Sequence, residues 1–326
     1  MKGWRLFTLL FSLCLTAFTL VLALDTFVIP QVYAAVPASG AEASAPGAEE
    51  LPASAAGEAA ADAASEGGAD ASGGASEALS PEPVSTETTY DDGEIRISVS
   101  EYRVHDTTVY VADVTLSDAS ALQTAFAQNV YGKNITAKTS ETAASVNAVL
   151  AVNGDYYGAR ETGYVIRGGV LYRDEAAEDG EDLVIWEDGS FGIIREAEVT
   201  AQELLAMGAR DVLSFGPALV TDGRIAVTED EEVGRAMAEN PRTAIAETGA
   251  LHYLFVVSDG RTEESSGLTL YELAEFLQSL GATTAYNLDG GGSSTMVFQG
   301  RVVNNPTTSG DRIRERSVSD IVYVGV

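Results

Sequence analysis

The 326-residue chain has very few of the residues that build disulfides and zinc sites. It contains one cysteine, Cys14, and two histidines, His105 and His252. No internal disulfide can form, and no zinc site based on histidine or cysteine can be assembled. A Ser-His-Asp triad would depend on His252 alone. These absences exclude a small disulfide-stabilised domain and leave stability to a hydrophobic core, for which the chain is long enough.

Positive charge is also scarce. The chain has 49 acidic and 19 basic residues, giving a formal net charge of −30. A surface this acidic repels nucleic acid, so no nucleic-acid partner is expected. The glycine-rich stretch Gly290–Ser294 lacks the lysine and the spacing of a nucleotide-binding phosphate loop, which argues against ATP. The chemistry that remains uses carboxylates, arginines, hydroxyls and main-chain amides, a set that suits an anionic carbohydrate.

The N-terminal part predicts export. Residues 6–24 form an uncharged apolar run that follows Lys2 and Arg5, long enough to cross a bilayer as a helix. The charge distribution places the C-terminal part outside the cell. We therefore expect a signal anchor over residues 1–34 and a single-pass protein of the cell membrane. Val32-Tyr33-Ala34 satisfies a small-residue cleavage rule, so a cleaved signal and a secreted protein stay an alternative.

Residues 35–89 consist mostly of alanine, serine, glycine, glutamate and proline, with almost no aromatic residues. Such a segment cannot bury enough apolar surface to offset the entropy of ordering it. The composition predicts an acidic, disordered linker between the anchor and a folded domain over residues 90–326. The acidic tether and the lack of disulfides are typical of a Gram-positive-type surface protein.

The folded part reads as one α+β domain built on mixed or antiparallel β-sheet with a few helices. Residues 95–99 and 107–116 alternate apolar and polar side chains, which predicts two strands joined by a tight turn at His105-Asp106. Capping boxes at Thr200–Glu203 and Thr269–Glu272 predict two helices. Weaker helical patterns occur at 118–128 and 139–147, and short strands are expected elsewhere.

Polar residues and glycines concentrate at the ends of several predicted strands, where binding sites often form. Taken singly, Asn153-Gly154 and Asp259-Gly260 are ordinary turn pairs, and Arg242 fits a surface ion pair. Asp289 before three glycines is harder to explain by a turn, which needs only one or two. The six segments are Asn153–Tyr157, Phe215–Pro217, Asn240–Ala244, Ser258–Arg261, Asn287–Met296 and Arg312–Arg316.

Together these motifs resemble the phosphodiester glycosidase domain family, which includes N-acetylglucosamine-1-phosphodiester N-acetylglucosaminidases. Its bacterial members often carry the label of exopolysaccharide biosynthesis proteins. The resemblance covers about residues 90–326 and rests on Asn153–Tyr157, Gly216-Pro217, Pro241–Ala244, Asp259–Arg261, Gly267–Ala274 and Asn287–Thr295 in this order. Asp155 departs from the pattern, since many members have a small or aromatic residue there.

The resemblance implies hydrolysis of sugar-1-phosphodiester linkages in extracellular or cell-envelope glycans. Such chemistry needs a carboxylate near the anomeric carbon and cations around the departing phosphate. We expect catalytic roles for Asp289, Asp259 and Arg242, with Arg261 completing a clamp on the phosphate. The further expected substrate contacts are Asn153, Gly154, Asp155, Gly216, Thr243, Asn287, Gly290, Gly291, Gly292, Ser293 and Ser294.

Two alternatives stay open. No cofactor is expected, but Asp289 and Asp155 would suit a hard divalent cation such as Ca²⁺, although their spacing matches no EF-hand loop. The same pocket would also suit a non-catalytic glycan-binding protein or an exopolysaccharide assembly factor at the cell surface.

Overall fold

The structure is a computed structural model that describes residues 2–36, 84–85, 87–230 and 239–325. Helices are few within these ranges. The four α-helices are α1 (Lys2–Phe27), α2 (Thr139–Ser145), α3 (Ala201–Ala206) and α4 (Leu270–Ser279). Single turns of 3-10 helix lie at Ala119–Ala121, Ala127–Asn129, Tyr157–Ala159 and Gly291–Ser293.

Strands dominate the described chain. The first eleven are β1 (Gln31–Val32), β2 (Val84–Ser85), β3 (Thr89–Asp91), β4 (Ile95–Val104), β5 (Thr107–Leu116), β6 (Leu122–Phe126), β7 (Gly132–Lys133), β8 (Ala137–Lys138), β9 (Leu150–Asn153), β10 (Val165–Arg167) and β11 (Val170–Arg173). The others are β12 (Glu181–Trp186), β13 (Phe191–Arg195), β14 (Ala209–Leu213), β15 (Ala218–Thr221), β16 (Arg224–Ile225), β17 (Thr243–Gly249), β18 (His252–Ser258), β19 (Thr284–Asn287), β20 (Met296–Phe298), β21 (Arg301–Val302), β22 (Ser317–Val318) and β23 (Asp320–Val324).

These strands form three main sheets. The largest has the order β16-β15-β19-β17-β18-β5-β4-β3-β2, and two five-stranded sheets have the orders β11-β10-β14-β12-β13 and β21-β20-β9-β23-β6. Two short ribbons, β1-β7 and β22-β8, complete the set. All strand pairs in the described part of the chain are antiparallel. The sheet-rich α+β architecture was predicted correctly, and its sheets are of the antiparallel kind.

One hydrophobic core joins the three sheets. Apolar side chains from each sheet meet in it, among them Val114 and Phe255 from the largest sheet, Val152 from the sheet around β9 and Leu183 from the sheet around β12. Each sheet is covered on another face by one short helix. Helix α4 packs on the largest sheet, α3 on the sheet around β14, and α2 on the sheet around β9. Burial of apolar faces on both sides of each sheet accounts for the long apolar strand patterns.

The structure contains the turns and helix caps that short sequence motifs predict. His105 and Asp106 both have positive φ in the tight turn between β4 and β5, as a two-residue hairpin requires. The capping box of α4 forms, because the Thr269 hydroxyl accepts from the Glu272 amide at 3.1 Å. The Glu272 carboxylate in turn accepts from the Thr269 amide at 2.9 Å. The helix expected at 139–147 is α2.

The predicted helix at 118–128 is wrong. Asp118 starts a single 3-10 turn by accepting a hydrogen bond from the Ser120 amide at 2.7 Å. The chain then continues as β6, which pairs with β23 from Leu122↔Val324 to Phe126↔Asp320. The partner strand lies about two hundred residues away in sequence, so pairing across the sheet decides this segment and local helix propensity does not.

The structure tests only part of what the sequence predicts for the N-terminal anchor and linker. Helix α1 spans the apolar run. Within the described chain, no helix has both the length and the hydropathy of a membrane span, so the anchor is not shown. Most of the predicted linker, residues 37–83, lies outside the described residues. Residues 31–32 pair with β7 of the folded domain.

Candidate active site

Asn153, at the end of β9, joins three segments that the sequence analysis had singled out. Its side-chain oxygen accepts hydrogen bonds from the Thr243 hydroxyl at 2.9 Å and the Thr295 amide at 3.2 Å. Its side-chain nitrogen donates to the main-chain oxygen of Asp289 at 2.6 Å. The fold thus brings the end of β9, the start of β17 and the glycine-rich segment together, as the prediction of a shared sheet rim requires.

The three glycines Gly290–Gly292 let the protein pack closely against itself. A Cβ on the first would lie 2.9 Å from the Pro241 carbonyl oxygen, and one on the second 2.9 Å from the Arg261 guanidinium. On the third it would lie 2.5 Å from the Thr308 hydroxyl. Gly291 also has φ +60°, and its amide donates to the Pro241 carbonyl oxygen at 2.7 Å. The Gly291 amide is therefore used within the protein, contrary to the expectation that it faces substrate.

Asp289 lies at the start of this glycine segment and is half-buried. Burial raises the pKa of its carboxyl group, while a hydrogen bond with Ser293 and the charges of Arg316 and Arg160 act to lower it. One carboxylate oxygen, Oδ2, is buried and has no hydrogen-bond partner among the described residues. A buried carboxylate with a raised pKa accepts a proton more readily than a free one, and its unpaired oxygen can contact a ligand.

Further buried polar atoms without a partner lie close to Asp289 in sequence. They are Oδ1 of Asn287, Oγ of Ser294 and Oγ1 of Thr295, again judged over the described residues. Buried polar atoms in proteins nearly always have a partner. Four such atoms within nine residues indicate a place that a polar ligand or water completes. Asn287 itself is fixed by its Nδ2, which donates to the Gly216 carbonyl oxygen at 2.8 Å.

Two arginines for which the sequence predicts no role lie near these unpartnered polar atoms. Arg316 donates to the Ser293 hydroxyl at 3.4 Å, and its side chain is exposed. Arg160 donates to the Ser214 carbonyl oxygen at 2.9 Å, and its guanidinium lies 4.9 Å from the Phe215 ring centre. Arg316 belongs to the polar segment that the sequence analysis noted, whereas no pattern marks Arg160.

The two arginines that were predicted to bind phosphate are engaged with the protein. Arg242 is buried, and its Nε donates to the Leu268 carbonyl oxygen at 2.8 Å. Arg261 donates from Nε and Nη2 to the Asn240 side-chain oxygen at 3.1 and 2.8 Å. Burial, and next the charge of Arg316, lower the pKa of Arg261. Arg242 and Arg261 thus shape the site, while Arg160 and Arg316 are better placed to act on Asp289.

Asp259, the second predicted catalytic carboxylate, holds a loop in place. One oxygen accepts from the main-chain amide of Asn305 and the other from its side-chain amide, both at 2.8 Å. The residue is 4% exposed. The loop that follows Asn305 brings Thr308 against the third glycine of the site. The contacts therefore support a positioning role for Asp259 in place of the predicted catalytic one.

Asp155 belongs to a buried ion cluster beneath the site. Its carboxylate accepts hydrogen bonds from Arg167 at 3.0 Å, from the Ser214 amide at 2.9 Å and from the Tyr157 amide at 3.0 Å. Arg167 also donates to Asp320 at 2.7 Å. Although burial acts to lower it, the two carboxylates raise the pKa of Arg167. Asp155 is fully buried, so a direct contact with substrate is not supported.

Gly154 connects this cluster to Asp289. Its carbonyl oxygen accepts from the Asp289 amide at 3.1 Å, and its own amide donates to the Asp320 carbonyl oxygen at 2.9 Å. A Cβ at Gly154 would lie 2.2 Å from the Asp320 carboxylate. Glycine is therefore required here by packing, and Gly154 positions the site through its main chain.

A cleft of about 760 Å³ adjoins these residues and was not anticipated from the sequence. Arg160 and Phe215–Pro217 line one part of it, and a largely acidic stretch with Asp182 and Glu196 lines another. Burial, and next the nearby Glu196, raise the pKa of Asp182 well above its usual range. Both oxygens of Asp182 are buried without a donor among the described residues. The cleft has the volume of a ligand site, and Arg160 connects it to Asp289.

The described residues contain no group of three or more histidine, cysteine, aspartate or glutamate side chains arranged to hold a metal ion. The oxygens of Asp155 are also committed to the ion cluster, so Asp155 is not free to join Asp289 as a calcium ligand.

Comparison with known proteins identifies the family. The family profile described as phosphodiester glycosidase matches residues 146–325, more than half of the chain. The chain belongs to the phosphodiester glycosidase family. The matched range contains Asn153, Thr243, Asn287 and Asp289, which the structure brings together.

Relatives of this phosphodiester glycosidase domain come from bacteria and animals. The SPbeta prophage-derived uncharacterized protein YomE of Bacillus subtilis (strain 168) is 33% identical over 184 residues, which is 54% of this chain and 28% of that protein. The bovine N-acetylglucosamine-1-phosphodiester alpha-N-acetylglucosaminidase is 29% identical over 186 residues, covering 52% of this chain and 35% of the enzyme. The chain thus spans about a third of the length of these curated relatives.

A solved structure shows the same fold. It is the catalytic domain of zebrafish N-acetylglucosamine-1-phosphodiester alpha-N-acetylglucosaminidase, auto-inhibited by its pro-peptide. The TM-score is 0.57 at 20% sequence identity, with 72% of this chain and 83% of that chain covered. The likeness establishes the architecture of the phosphodiester glycosidase domain and extends beyond the segment matched by the family profile.

Proposed function

We propose that the domain hydrolyses sugar-1-phosphodiesters by cutting between the anomeric carbon and the phosphate oxygen. The observation that carries the proposal is Asp289, whose buried Oδ2 lacks a partner among the described residues while Arg160 and Arg316 act on its charge. A carboxylate near cations is what an oxocarbenium-like transition state with a departing phosphate needs. Membership of the phosphodiester glycosidase family supports the same reaction.

The reaction breaks the bond between the anomeric carbon and the phosphate oxygen, and the electron pair of that bond leaves with the phosphate monoester. Asp289 acts either as a base that takes a proton from the attacking water or as a nucleophile that forms a glycosyl ester, which water then cleaves. The pKa of Asp289 is raised by burial, which favours proton uptake. A phosphate monoester is a weak base, so the leaving group needs little protonation.

Arg316 and Arg160 are proposed to stabilise the charge that builds up on the departing phosphate. The Arg316 side chain is exposed and reaches the Ser293 hydroxyl, which is itself next to Asp289. Arg160 lines the large cleft, and its charge acts on Asp289. Guanidinium groups form paired hydrogen bonds to phosphate oxygens, so they suit this role better than the more deeply engaged Arg242.

The substrate is proposed to be a phosphodiester-linked glycan of the cell envelope or extracellular matrix. The cleft beside Arg160 would hold the glycan next to the cleaved linkage. The apolar N-terminal run would anchor the protein in the membrane with the catalytic domain outside, and the acidic stretch supports an extracellular setting. No resident metal is proposed, so a chelator should leave hydrolysis unchanged.

The test uses the full chain in detergent and a panel of sugar-1-phosphodiesters that includes an N-acetylglucosamine derivative. Wild type should release a reducing sugar and a phosphate monoester. The isosteric Asp289→Asn variant should lose roughly 10²–10⁴-fold in kcat/KM, the usual contribution of acid–base groups. Asp106→Asn, in the distant turn between β4 and β5, is the matched control.

The experiment distinguishes an error in the role of Asp289 from an error in the proposed reaction. Normal hydrolysis by Asp289→Asn would remove Asp289 from the chemistry. Tight binding of the glycan by wild type without any product would instead support the glycan-binding alternative. Melting temperature serves as the folding control, and it should stay the same or rise in Asp289→Asn, because the variant removes a partly buried charge.

A further inference from the structure

The segment that follows α1 is hydrogen-bonded to the catalytic domain. Strand β1 pairs with β7 in the register Gln31↔Lys133 and Val32↔Gly132. The next residues continue the attachment, since the Tyr33 amide donates to the Tyr131 carbonyl oxygen at 3.1 Å. The Val36 amide donates to Leu171 at 2.8 Å. Leu171 belongs to β11, the edge strand of a five-stranded sheet, so the segment bonds to two separate parts of the domain.

Side chains strengthen the attachment. The Tyr33 ring lies 6.0 Å from the Tyr131 ring, which stacks on Tyr157 at 5.3 Å. Val36 packs against the apolar cluster that contains Leu171 and Leu204. Aromatic and aliphatic contacts of this kind exclude water from the joining surface. The segment is therefore packed against the domain through its side chains as well as hydrogen-bonded to it.

Two residues of the domain are adapted to this segment. A Cβ at Gly132 would lie 2.0 Å from the Gln31 carbonyl oxygen, so only glycine permits the close approach of β1. Asn134, with φ +59°, donates from Nδ2 to the carbonyl oxygens of Thr26 and Ile29 at 3.2 and 3.1 Å. The Thr26 oxygen lies in the last turn of α1 and has no intrahelical partner there, and Ile29 lies just beyond the helix.

The attachment changes how the acidic stretch is connected. Residues 37–83 follow Val36, which is bonded to β11, and precede Val84, which is in β2 and pairs with β3. Both ends of the acidic stretch are therefore on the same domain. Only three residues separate the end of α1 from the docked Gln31, so the four steps from Phe27 to Gln31 span at most about 14 Å in extended chain.

We propose that residues 28–36 are an integral edge of the catalytic domain, which holds α1 directly against it, and that the acidic stretch is an excursion from the domain and not a spacer. The occupant of the surface formed by Tyr131, Gly132, Asn134 and Leu171 is this segment of the same chain. Removal of the chain up to Val36 would uncover that surface.

The segment also borders the candidate active site, an argument that rests on the proposed function. Tyr33 and Arg160 line one cavity of about 140 Å³ together with Tyr131 and Tyr157. Arg160 is one of the cations that act on Asp289. A docked Tyr33 thus borders a cavity that Arg160 also lines, and the segment forms a wall of the site beside Arg160.

Disulfide trapping tests the docking in the full chain. In a Cys14→Ser background, Gln31→Cys and Lys133→Cys place two cysteines at paired positions of an antiparallel ribbon, within the Cα separations that disulfides accept. We expect this pair to link at least about 100-fold faster than a control pair, because docked cysteines have a high effective concentration. The control combines Gln31→Cys with Lys138→Cys, whose strand partner is Ser317.

The acidic stretch is tested in the same background. Deleting residues 48–70 should leave the linking rate and the melting temperature unchanged, because both ends of the stretch stay on the domain. Equal, slow linking in the test and control pairs would overturn the docking. A linking rate that falls on deletion would show that the stretch controls the approach of the two parts, which contradicts the excursion.

Hydrolysis separates this inference from the proposed function. The linked protein should keep the activity of the reduced protein. Activity that rises on reduction would show that the segment occludes the site and is not its wall. Fast linking in a protein that hydrolyses none of the phosphodiesters would sustain the docking and reject the proposed reaction.

Discussion

The side-chain amide of Asn153 donates a 2.6 Å hydrogen bond to the main-chain carbonyl oxygen of Asp289. The same side chain accepts from Thr243 and Thr295. One buried residue at the end of β9 therefore sets the main-chain position of the candidate catalytic carboxylate. Because the position depends on a donor at Nδ2 and an acceptor at Oδ1, only asparagine supplies it at this length.

Asn153→Asp is expected to displace Asp289 without a change of volume. The new carboxylate would face the Asp289 carbonyl oxygen with no proton to donate, leaving a buried pair of acceptors that costs about 1–3 kcal/mol. We expect a lower melting temperature and at least a tenfold (about 1.4 kcal/mol) loss in kcat/KM. Asn129→Asp is the exposed control. Full activity in Asn153→Asp would show that Asp289 is held by other contacts.

Arg316→Gln is expected to destabilise the transition state. If Arg316 stabilises the departing phosphate, kcat should fall roughly 10²–10³-fold, as for loss of one charge-stabilising donor. The Arg316 charge also acts to lower the pKa of Asp289. Its removal should raise that pKa further and move the acid limb of the pH–rate profile to higher pH.

Arg314→Gln is the matched control for this variant, since Arg314 is an exposed arginine two residues earlier. Steady-state kinetics across pH provide the measurement. A change in KM alone, with an unmoved acid limb, would limit Arg316 to substrate binding and separate it from Asp289.

The sequence predicted those parts of the site that depend on short motifs. Asn153, Thr243, Asn287 and Asp289 were each marked by a polar residue at a strand end, and they meet in the structure. The capping box at Thr269 needed only contacts within one turn. Both kinds of signal are local, so a single sequence reveals them.

What the sequence could not reveal depends on partners far along the chain. The sequence predicts a catalytic role for Asp259 and gives no sign of its partner Asn305, which lies 46 residues away. Asp155 was taken for a substrate contact because nothing in the pattern pairs it with Arg167 and Asp320. Arg160 carries no motif at all. Long-range pairing of charges is decided by the fold, and the role of each group follows from it.

Gly292→Ala is expected to impair activity through the neighbouring loop. The added Cβ would lie 2.5 Å from the Thr308 hydroxyl and 3.1 Å from the Thr308 main chain, so the loop held by Asp259 must move. Overpacking of this kind costs about 1–3 kcal/mol. Gly249→Ala is the control, because a Cβ there meets nothing within 4 Å.

Thermal unfolding and hydrolysis measured side by side check this prediction. The combination with Thr308→Ala should recover part of the lost stability, because it removes the hydroxyl that lies closest to the added methyl group. Recovery should be incomplete, since the main chain at position 308 stays close to that group. Equal behaviour of Gly292→Ala and Gly249→Ala would mean that the loop yields without cost.

The buried cluster predicts a dependence of stability on pH. Burial, and next the charge of Asp155, raise the pKa of Asp320 to about 7, against the opposing effect of Arg167. The folded state therefore holds a proton that the unfolded state releases near pH 4. The contribution of Asp320 to the free energy of unfolding is present in full below pH 4. It declines as pH rises towards 7, by at most about 1.4 kcal/mol per pH unit, and is constant above.

Asp320→Asn removes this titrating group, so it should flatten that decline whatever its effect on overall stability. Urea unfolding of wild type and variant at several pH values between 4 and 8 gives the slope of the free energy of unfolding against pH for each protein. The contributions of other carboxyl groups cancel in the difference between the two slopes. Glu315→Gln, a nearby carboxylate bonded only to Ser140 among the described residues, should keep the wild-type slope. An unchanged slope in Asp320→Asn would assign the proton to another member of the cluster, of which Asp155 is the nearest carboxyl group.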